Sequence, residues 1–274
     1  MKSLKYEYSV LTELMATLQL TLDLLRAALC SIMLIYASFK DLKTREVSNW
    51  TWIAFVPLGL LLNLYEIIYL RSIDPVFSLI LPLLISSGMS VAFFYGGLFG
   101  GADAKAFITL SLLIPHPLEA IIPVLGIVSP FFPLTIFTNS ALMAAFFAFF
   151  FLMRNLFWRF GNRHKFFEGL ESEHWWKKFL TLLSCMKVKA KDVRGPPYQY
   201  PAEVVTDSRR KLQPRPNINS DEAAWASFRV LTEDLGLSEV WVSPTLPFLV
   251  FIFLGFFFAL FLGDVALWTL SLIF

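Results

Sequence analysis

The sequence predicts an all-α polytopic membrane protein with six transmembrane helices and a small cytoplasmic α+β domain between helices 5 and 6. The chain is 57% hydrophobic and only 16% charged, with 29 phenylalanines, which is more apolar surface than a soluble domain of 274 residues can bury. A span needs about 20 largely apolar residues. Such stretches occur at Met15–Phe39, Trp50–Leu70, Val76–Tyr95, Ala104–Val128, Phe131–Met153 and Pro244–Phe274.

The membrane core is expected over residues 27–153, which hold spans 1 to 5. Residues 1–26 form an N-terminal extension and the start of the first span, which Asp23 and Arg26 interrupt. These two residues are three positions apart, so on a helix they can pair, or their side chains can snorkel towards the interface. The sixth span occupies residues 244–274.

Residues 154–243 hold most of the charge and are the predicted soluble domain. Aromatic residues at helical spacing predict a helix within Phe166–Met186. Alternating stretches at Val188–Val193 and Glu239–Val242 predict strands, and proline-rich turns separate these elements. Together they predict a small α+β unit.

The distribution of basic residues predicts the orientation in the membrane. Nineteen of the 23 Lys and Arg residues lie on one side, in residues 40–49, at Lys105 and in residues 154–243. Because cytoplasmic loops carry an excess of Lys and Arg, this side is predicted to be cytoplasmic and both termini to be outside. The protein is therefore expected in the cytoplasmic membrane as a multi-pass protein.

Two aspartates adjoin apolar runs on this cytoplasmic side. Asp41 opens the motif DLKTREV, and Asp103 is the fourth residue of GGADAK. Each has a structural alternative, since Asp103 can cap a helix after a glycine turn and Asp41 can anchor the end of a span. However, a carboxyl group near hydrocarbon is usually functional. Two on one membrane face favour a dyad that shares a proton.

These two motifs resemble those of the type IV prepilin peptidase family of GxGD-type aspartyl proteases, most closely its archaeal preflagellin (prearchaellin) peptidases. The resemblance covers almost everything after residue 27 and implies that Asp41 and Asp103 are catalytic. Ala102 in place of a glycine fits the archaeal branch. With two cysteines, the chain lacks the four-cysteine domain of bifunctional bacterial members, so no methyltransferase activity is expected. The motif residues expected to support catalysis are Gly100, Gly101, Ala102, Lys43, Arg45 and Lys105.

The resemblance implies an aspartic endopeptidase that removes the basic leader, a class III signal peptide, from archaellin or type IV pilin-like precursors. Its partners would be precursors with a basic leader before an apolar helix, and the lipid bilayer, with no nucleic acid. No cofactor or metal is expected. The alternatives are a proton- or cation-coupled transporter with paired carboxylates, and a silent scaffold for pilus or archaellum assembly.

The remaining candidate residues lie mostly in the soluble domain. Glu168, Glu171 and Glu173 form an acidic cluster that is either a solvated face or a site that attracts a basic leader. The three histidines are dispersed without metal-ligand spacing, and the sequence gives them no catalytic role. They are His116, His164 and His174.

Overall fold

The computed structural model describes residues 2–70, 79–161, 166–206, 209–215 and 220–273. His164 and residues 76–78 of the predicted third span lie outside the described residues. The chain divides into two compact units, each described below by itself. The first, called the membrane unit, comprises Met1–Met143 with Pro247–Phe274, and the second, called the soluble unit, comprises Ala144–Leu246. The predicted division of the chain at residues 153 and 243 stays a prediction.

The described residues are mostly helical, and the strands lie within residues 186–244. The helices are α1 (Lys2–Thr44), α2 (Asn49–Tyr65), α3 (Leu81–Tyr95), α4 (Gly101–Leu113), α5 (Phe132–Gly161), α6 (Trp175–Ser184), α7 (Asp221–Arg229), α8 (Phe248–Phe261) and α9 (Val265–Ser271). A π-helical turn, Glu66–Leu70, continues α2. The strands are β1 (Met186–Lys189), β2 (Gln199–Pro201), β3 (Glu203–Thr206), β4 (Arg209–Leu212) and β5 (Glu239–Pro244).

Three helical segments of the described chain are long and apolar enough to cross a membrane: Thr12–Thr44, Asn49–Ile68 and Phe132–Phe160. Helices α8 and α9 supply a fourth if the pair, bent by 56°, is one span. Helix α3 is apolar but shorter. The protein is therefore a mostly helical membrane protein with a small sheet region.

Helix α1 continues past the end of the first predicted span, Phe39, to Thr44. The Arg45 backbone N–H donates to the Asp41 carbonyl oxygen at 3.1 Å, and Arg45 then leaves the helix with a φ of 59°. A left-handed residue just after the last turn is a common helix terminator. Asp41 thus lies in the last turn of a helix, two residues beyond the end of the predicted first span.

Helix α4 is shorter than the predicted span Ala104–Val128, because it ends at Leu113. The next residue, Ile114, precedes Pro115, and a residue before proline is pushed out of the helical conformation. Its φ and ψ are −141° and 71°. Residues 114–131 contain no helix. Further prolines in this stretch are Pro117, Pro123 and Pro130.

Close helix approach in the membrane unit depends on glycines. A Cβ atom at Gly59 of α2 would lie 2.8 Å from the backbone carbon of Leu112 on α4, and one at Gly255 of α8 would lie 2.8 Å from the Ile136 carbonyl oxygen on α5. Small residues allow membrane helices to pack this closely. The buried core around these contacts includes Met33, Leu34, Phe107, Leu110, Ile252 and Phe256.

The soluble unit contains a three-stranded antiparallel sheet in the order β1-β5-β2 and a separate hairpin of β3 and β4. Strand β5 is central, with Val240 opposite Val188 of β1 and Ser243 opposite Tyr200 of β2. It matches the predicted strand Glu239–Val242, whereas β1 ends before the predicted Val188–Val193 strand does. Trp241 of β5 is fully buried in the core of this unit.

Candidate active site

Asp103 lies in the first turn of α4. Its Oδ2 accepts a hydrogen bond from the Gly100 backbone N–H at 2.9 Å, so the side chain caps its own helix. A Cβ atom at Gly100 would lie 3.2 Å from that oxygen, a close approach that a larger residue would tighten. A Cβ atom at Gly101 would lie 3.8 Å from the Phe94 ring, an ordinary contact distance. Asp103 is 9% exposed, so its carboxylate is largely shielded from solvent.

Asp41 is held where α1 meets the beginning of α8. Its carboxylate interacts with the backbone N–H of Leu249, the second residue of α8. Ser38, one turn earlier on α1, donates its hydroxyl hydrogen to the Leu249 carbonyl oxygen at 3.0 Å. The cation at this carboxylate is Arg45, whose Nη1 lies 3.9 Å from Asp41 Oδ1. The Ser38 hydrogen bond thus joins the last turn of α1, which carries Asp41, to the start of α8.

The fold places Asp41 and Asp103 within electrostatic range of each other: the charge of Asp41 acts on the Asp103 carboxyl group, although less strongly than burial does. Both carboxylates also lie at helix N-termini, Asp103 at α4 and Asp41 at α8. The unpaired N–H groups there carry partial positive charge that stabilises a nearby anion. Two coupled carboxylates in a shielded site are suited to proton exchange with a bound substrate.

Three of the motif residues predicted to support catalysis make contacts away from the two carboxylates. Lys105 Nζ donates to Asn49 Oδ1 at 2.7 Å and so joins the start of α4 to the start of α2. Ala102 packs against the membrane core. Lys43 Nζ lies 5.9 Å from the centre of the Phe39 ring. Lys105 therefore helps to position α4, the helix that carries Asp103.

The predicted acidic cluster lies entirely in the soluble unit and makes local contacts there. Glu173 Oε2 is 2.9 Å from Lys177 Nζ. The Glu168 carbonyl oxygen accepts a hydrogen bond from Arg210, and Glu171 Oε1 accepts one from a backbone N–H two residues earlier. The side chains of Glu168 and Glu171 are exposed. Two of the three carboxylates are thus accessible to a charged partner.

Comparison with known proteins assigns the sequence to a family. The type IV leader peptidase family model matches residues 28–153, which include both aspartates, and the model of the archaeal peptidase A24 C-terminus, type II, matches residues 177–265. The chain belongs to the type IV leader peptidase family. It is an aspartic endopeptidase, as the sequence motifs predicted.

Curated relatives extend the match over most of the chain. A preflagellin peptidase of Methanococcus voltae is 27% identical over 236 residues, covering 84% of this chain and 92% of the relative. Preflagellin peptidases of Methanocaldococcus jannaschii and Methanococcus maripaludis are 24% and 25% identical, covering 85% and 84% of this chain and 92% of each relative.

This peptidase also contains a buried polar cluster that the motifs did not reveal. Arg26 is fully buried, and its Nη2 lies 2.8 Å from Glu66 Oε2 and 2.9 Å from Asn63 Oδ1. His116 Nε2 lies 3.2 Å from the same Glu66 oxygen. Asp23, for which pairing with Arg26 was one of two alternatives, accepts the backbone N–H of residue 120 at 2.9 Å. Polar residues inside the predicted spans were the available signal.

The polar cluster holds the C-terminal end of α4. Arg26 Nη1 donates to the Leu113 carbonyl oxygen at 2.7 Å, and Asn63 Nδ2 donates to that of Leu112 at 2.7 Å. The last carbonyls of a helix have no partner within the helix, so these donors complete its hydrogen bonding. Because α4 has only 13 residues, the cluster fixes the far end of the helix that begins with the Asp103 turn.

Among the described residues, no group of three or more His, Cys, Asp or Glu side chains is placed to hold a metal ion. Cys30 and Cys185 are both buried free thiols. Burial raises the pKa of the Cys185 thiol to about 11. Neither cysteine is therefore placed as a reactive nucleophile.

Proposed function

We propose that this peptidase removes basic leaders from archaellin or type IV pilin-like precursors, and that Asp41 and Asp103 are its catalytic pair. The observation that carries the proposal is the placement of the two motif aspartates: Asp103 is largely buried in the first turn of α4, and Asp41 lies in the last turn of α1, which Ser38 joins to the start of α8. The preflagellin peptidases among its relatives support the choice of precursor.

In the proposed mechanism, the ionised carboxylate takes a proton from a water molecule, whose oxygen attacks the scissile carbonyl carbon. The other carboxyl group, protonated, donates a hydrogen bond to the carbonyl oxygen and later gives a proton to the leaving nitrogen. Because ionisation of one carboxyl group disfavours ionisation of the other, the pair titrates as a unit. The position of Asp41 in the last turn of a candidate span favours a scissile bond at the membrane boundary, just before the apolar helix of the precursor.

The catalytic assignment is tested by a cleavage assay with purified protein and a precursor that has a basic leader. Asp41→Asn and Asp103→Asn should each abolish cleavage and leave the elution profile in detergent unchanged. Asp264→Asn is the matched control, because Asp264 caps α9 and asparagine is an equally good cap. Near-normal cleavage by either variant of the pair would remove that residue from the mechanism.

The proposed topology has six spans, with both aspartates and residues 154–243 in the cytoplasm and both termini outside. It requires α3 and α4, together with their flanking residues, to cross the membrane beside the longer helices. The distribution of Lys and Arg supports this orientation. A cysteine in place of the exposed Lys191 should resist an impermeant thiol reagent in intact cells and react after permeabilisation. Reaction in intact cells would reverse the topology.

We also propose that the acidic cluster steers the basic leader towards the membrane boundary. Changing Glu168, Glu171 and Glu173 to Gln should slow cleavage of a basic-leader precursor, and added salt should mimic the loss, because exposed charges are screened over about 8 Å at physiological ionic strength. The control removes three exposed acidic residues elsewhere in the soluble unit. These are Glu222, Glu233 and Asp234.

A precursor whose leader lacks basic residues separates steering from a general charge effect. This precursor should be cut by the acidic-cluster variant and by the native protein at similar rates. If the variant cuts the basic-leader precursor as fast as the native protein does, the cluster is only a solvated face.

A further inference from the structure

Helix α6 presents its apolar side outwards. Trp175, Trp176, Phe179 and Leu180 are 73%, 45%, 50% and 40% exposed, and on a helix they form one continuous arc. The opposite side faces the protein and carries Thr181, which is fully buried. A helix on the surface of a soluble protein has the reverse arrangement, with its apolar stripe facing the core.

The side of α6 that faces the protein carries Thr181 and two lysines, with Leu182 packed against the core of this unit, and it is held in place by specific contacts. Lys177 forms the ion pair with Glu173 described above, and Lys178 Nζ donates to the Glu171 carbonyl oxygen at 2.8 Å. The polar residues therefore fix the helix in this orientation. These contacts leave the aromatic arc on the outside of the protein. Contact with an apolar partner would remove it from water.

The level of α6 relative to a membrane is set by α5. From Phe132 to Met153, α5 has no charged residue. At 1.5 Å per residue this stretch is about 33 Å long, close to the thickness of the hydrocarbon layer. Asn155, just beyond it and fully buried, donates through Nδ2 to the carbonyl oxygens of Leu182 and Cys185 at 3.0 and 2.8 Å. The C-terminal end of α6 therefore lies at the level where α5 leaves the hydrocarbon.

The end of α5 has the composition of a membrane interface. Phe157 and Phe160 are 73% and 86% exposed, and Arg154 and Arg159 alternate with them. Aromatic and basic residues at the end of a span are typical of the headgroup layer. Both helices thus present exposed aromatic side chains at the same level.

We propose that α6 lies in the headgroup layer of the bilayer, with its aromatic arc inserted towards the acyl chains, and that it anchors the soluble unit to the membrane surface. A helix with aromatic residues on one side and lysines on the other is suited to this position. A second protein is a poorer fit as the covering partner. The four side chains expose on the order of 500 Å², less than the roughly 800 Å² that each partner buries in a stable interface.

The test uses the whole peptidase in phosphatidylcholine vesicles. A fluorescent label is attached to Phe179→Cys and, in a separate sample, to Lys191→Cys at an exposed position of the same unit. Cys30 and Cys185 are buried and should not compete for the label. Lipids with a nitroxide near the headgroup should quench the label at position 179 and shift its emission to the blue. Iodide in the water should quench the label at position 191 instead.

A variant pair separates anchoring from the effect of the label. Trp175→Ser with Trp176→Ser should reduce lipid quenching at position 179 and increase iodide quenching there. Leu235→Ser, a change at a 45% exposed leucine of the same unit, should alter neither. The proposal is overturned if iodide quenches positions 179 and 191 alike. It is also overturned if the label at position 179 is shielded only at high protein-to-lipid ratio and is not quenched by the nitroxide lipids, since a second protein copy would then cover the arc.

Discussion

The two ends of α4 lie about 18 Å apart and hold charge in different ways. At the C-terminal end, Arg26 and Glu66 are in direct contact at 2.8 Å, and amide and imidazole groups complete the cluster. At the N-terminal end, the carboxyl groups of Asp103 and Asp41 act on each other, and Arg45 is 3.9 Å from Asp41. One end neutralises its charges, whereas the other places two carboxylates together.

The charged groups at the C-terminal end of α4 stabilise the structure, whereas those at the N-terminal end are suited to chemistry. Removing one partner of a buried ion pair lowers the stability strongly, because the remaining charge is left without compensation. Two coupled carboxylates stabilise a fold poorly, but they can exchange protons with a substrate. We therefore expect mutations at the Arg26 end to lower stability and mutations at the Asp103 end to lower activity.

The largest expected effect is on catalysis. Asp103→Asn should lower the rate of precursor cleavage by at least about 10²–10⁴-fold, the contribution typical of a general acid or base. The asparagine side chain can still accept the Gly100 hydrogen bond, so the melting temperature in detergent should change little. If the variant instead melts far below the native protein and retains its activity per folded molecule, Asp103 stabilises the structure and is not catalytic.

The second effect is on stability. Arg26→Met leaves Glu66 buried without its cation, so the free energy of unfolding should fall by about 3–5 kcal/mol. Thermal unfolding in detergent measures the loss. The double variant Arg26→Met with Glu66→Leu should recover much of it, since both charges are then removed. A single variant as stable as the native protein would show that the polar cluster does not hold α4.

A third, smaller effect concerns the contact between α2 and α4. Gly59→Ala places a Cβ atom 2.8 Å from the Leu112 backbone and should destabilise the protein by about 1–3 kcal/mol through overpacking. Gly88→Ala is the matched control, because no atom lies within 4 Å of its Cβ position. Equal melting temperatures for the two variants would contradict this close approach.

The smallest effect should come from Arg45. Its ion pair with Asp41 is long and spans one helical turn, so Arg45→Gly should change the stability by less than about 1 kcal/mol. Arg45→Ala should be less stable than the glycine variant by about 1–2 kcal/mol, because a φ of 59° is unfavourable for a residue with a Cβ atom. Melting curves of the two variants provide the comparison. A large loss in the glycine variant would mean that the Asp41 end is also neutralised by a strong pair.

The elements predicted well are those whose signal is local. Strand β5 follows from the alternation at Glu239–Val242, and α5 follows from the uncharged run before Arg154. The error at α4 also has a local explanation, since Pro115 already marked the end of the helix. The predicted span continued past Pro115 because it was based on hydropathy alone.

The sequence by itself determined the class of protein, its apolar helices and the two aspartate motifs, because composition and contiguous motifs do not depend on distant residues. Only the tertiary structure decided which charges meet. Ser38, one turn before Asp41, bonds to Leu249, more than 200 positions away, and Arg26 pairs with Glu66 rather than with the nearby Asp23. The physical reason is that a buried charge selects its partner by the packing of whole helices, and close approaches such as that at Gly59 set this packing.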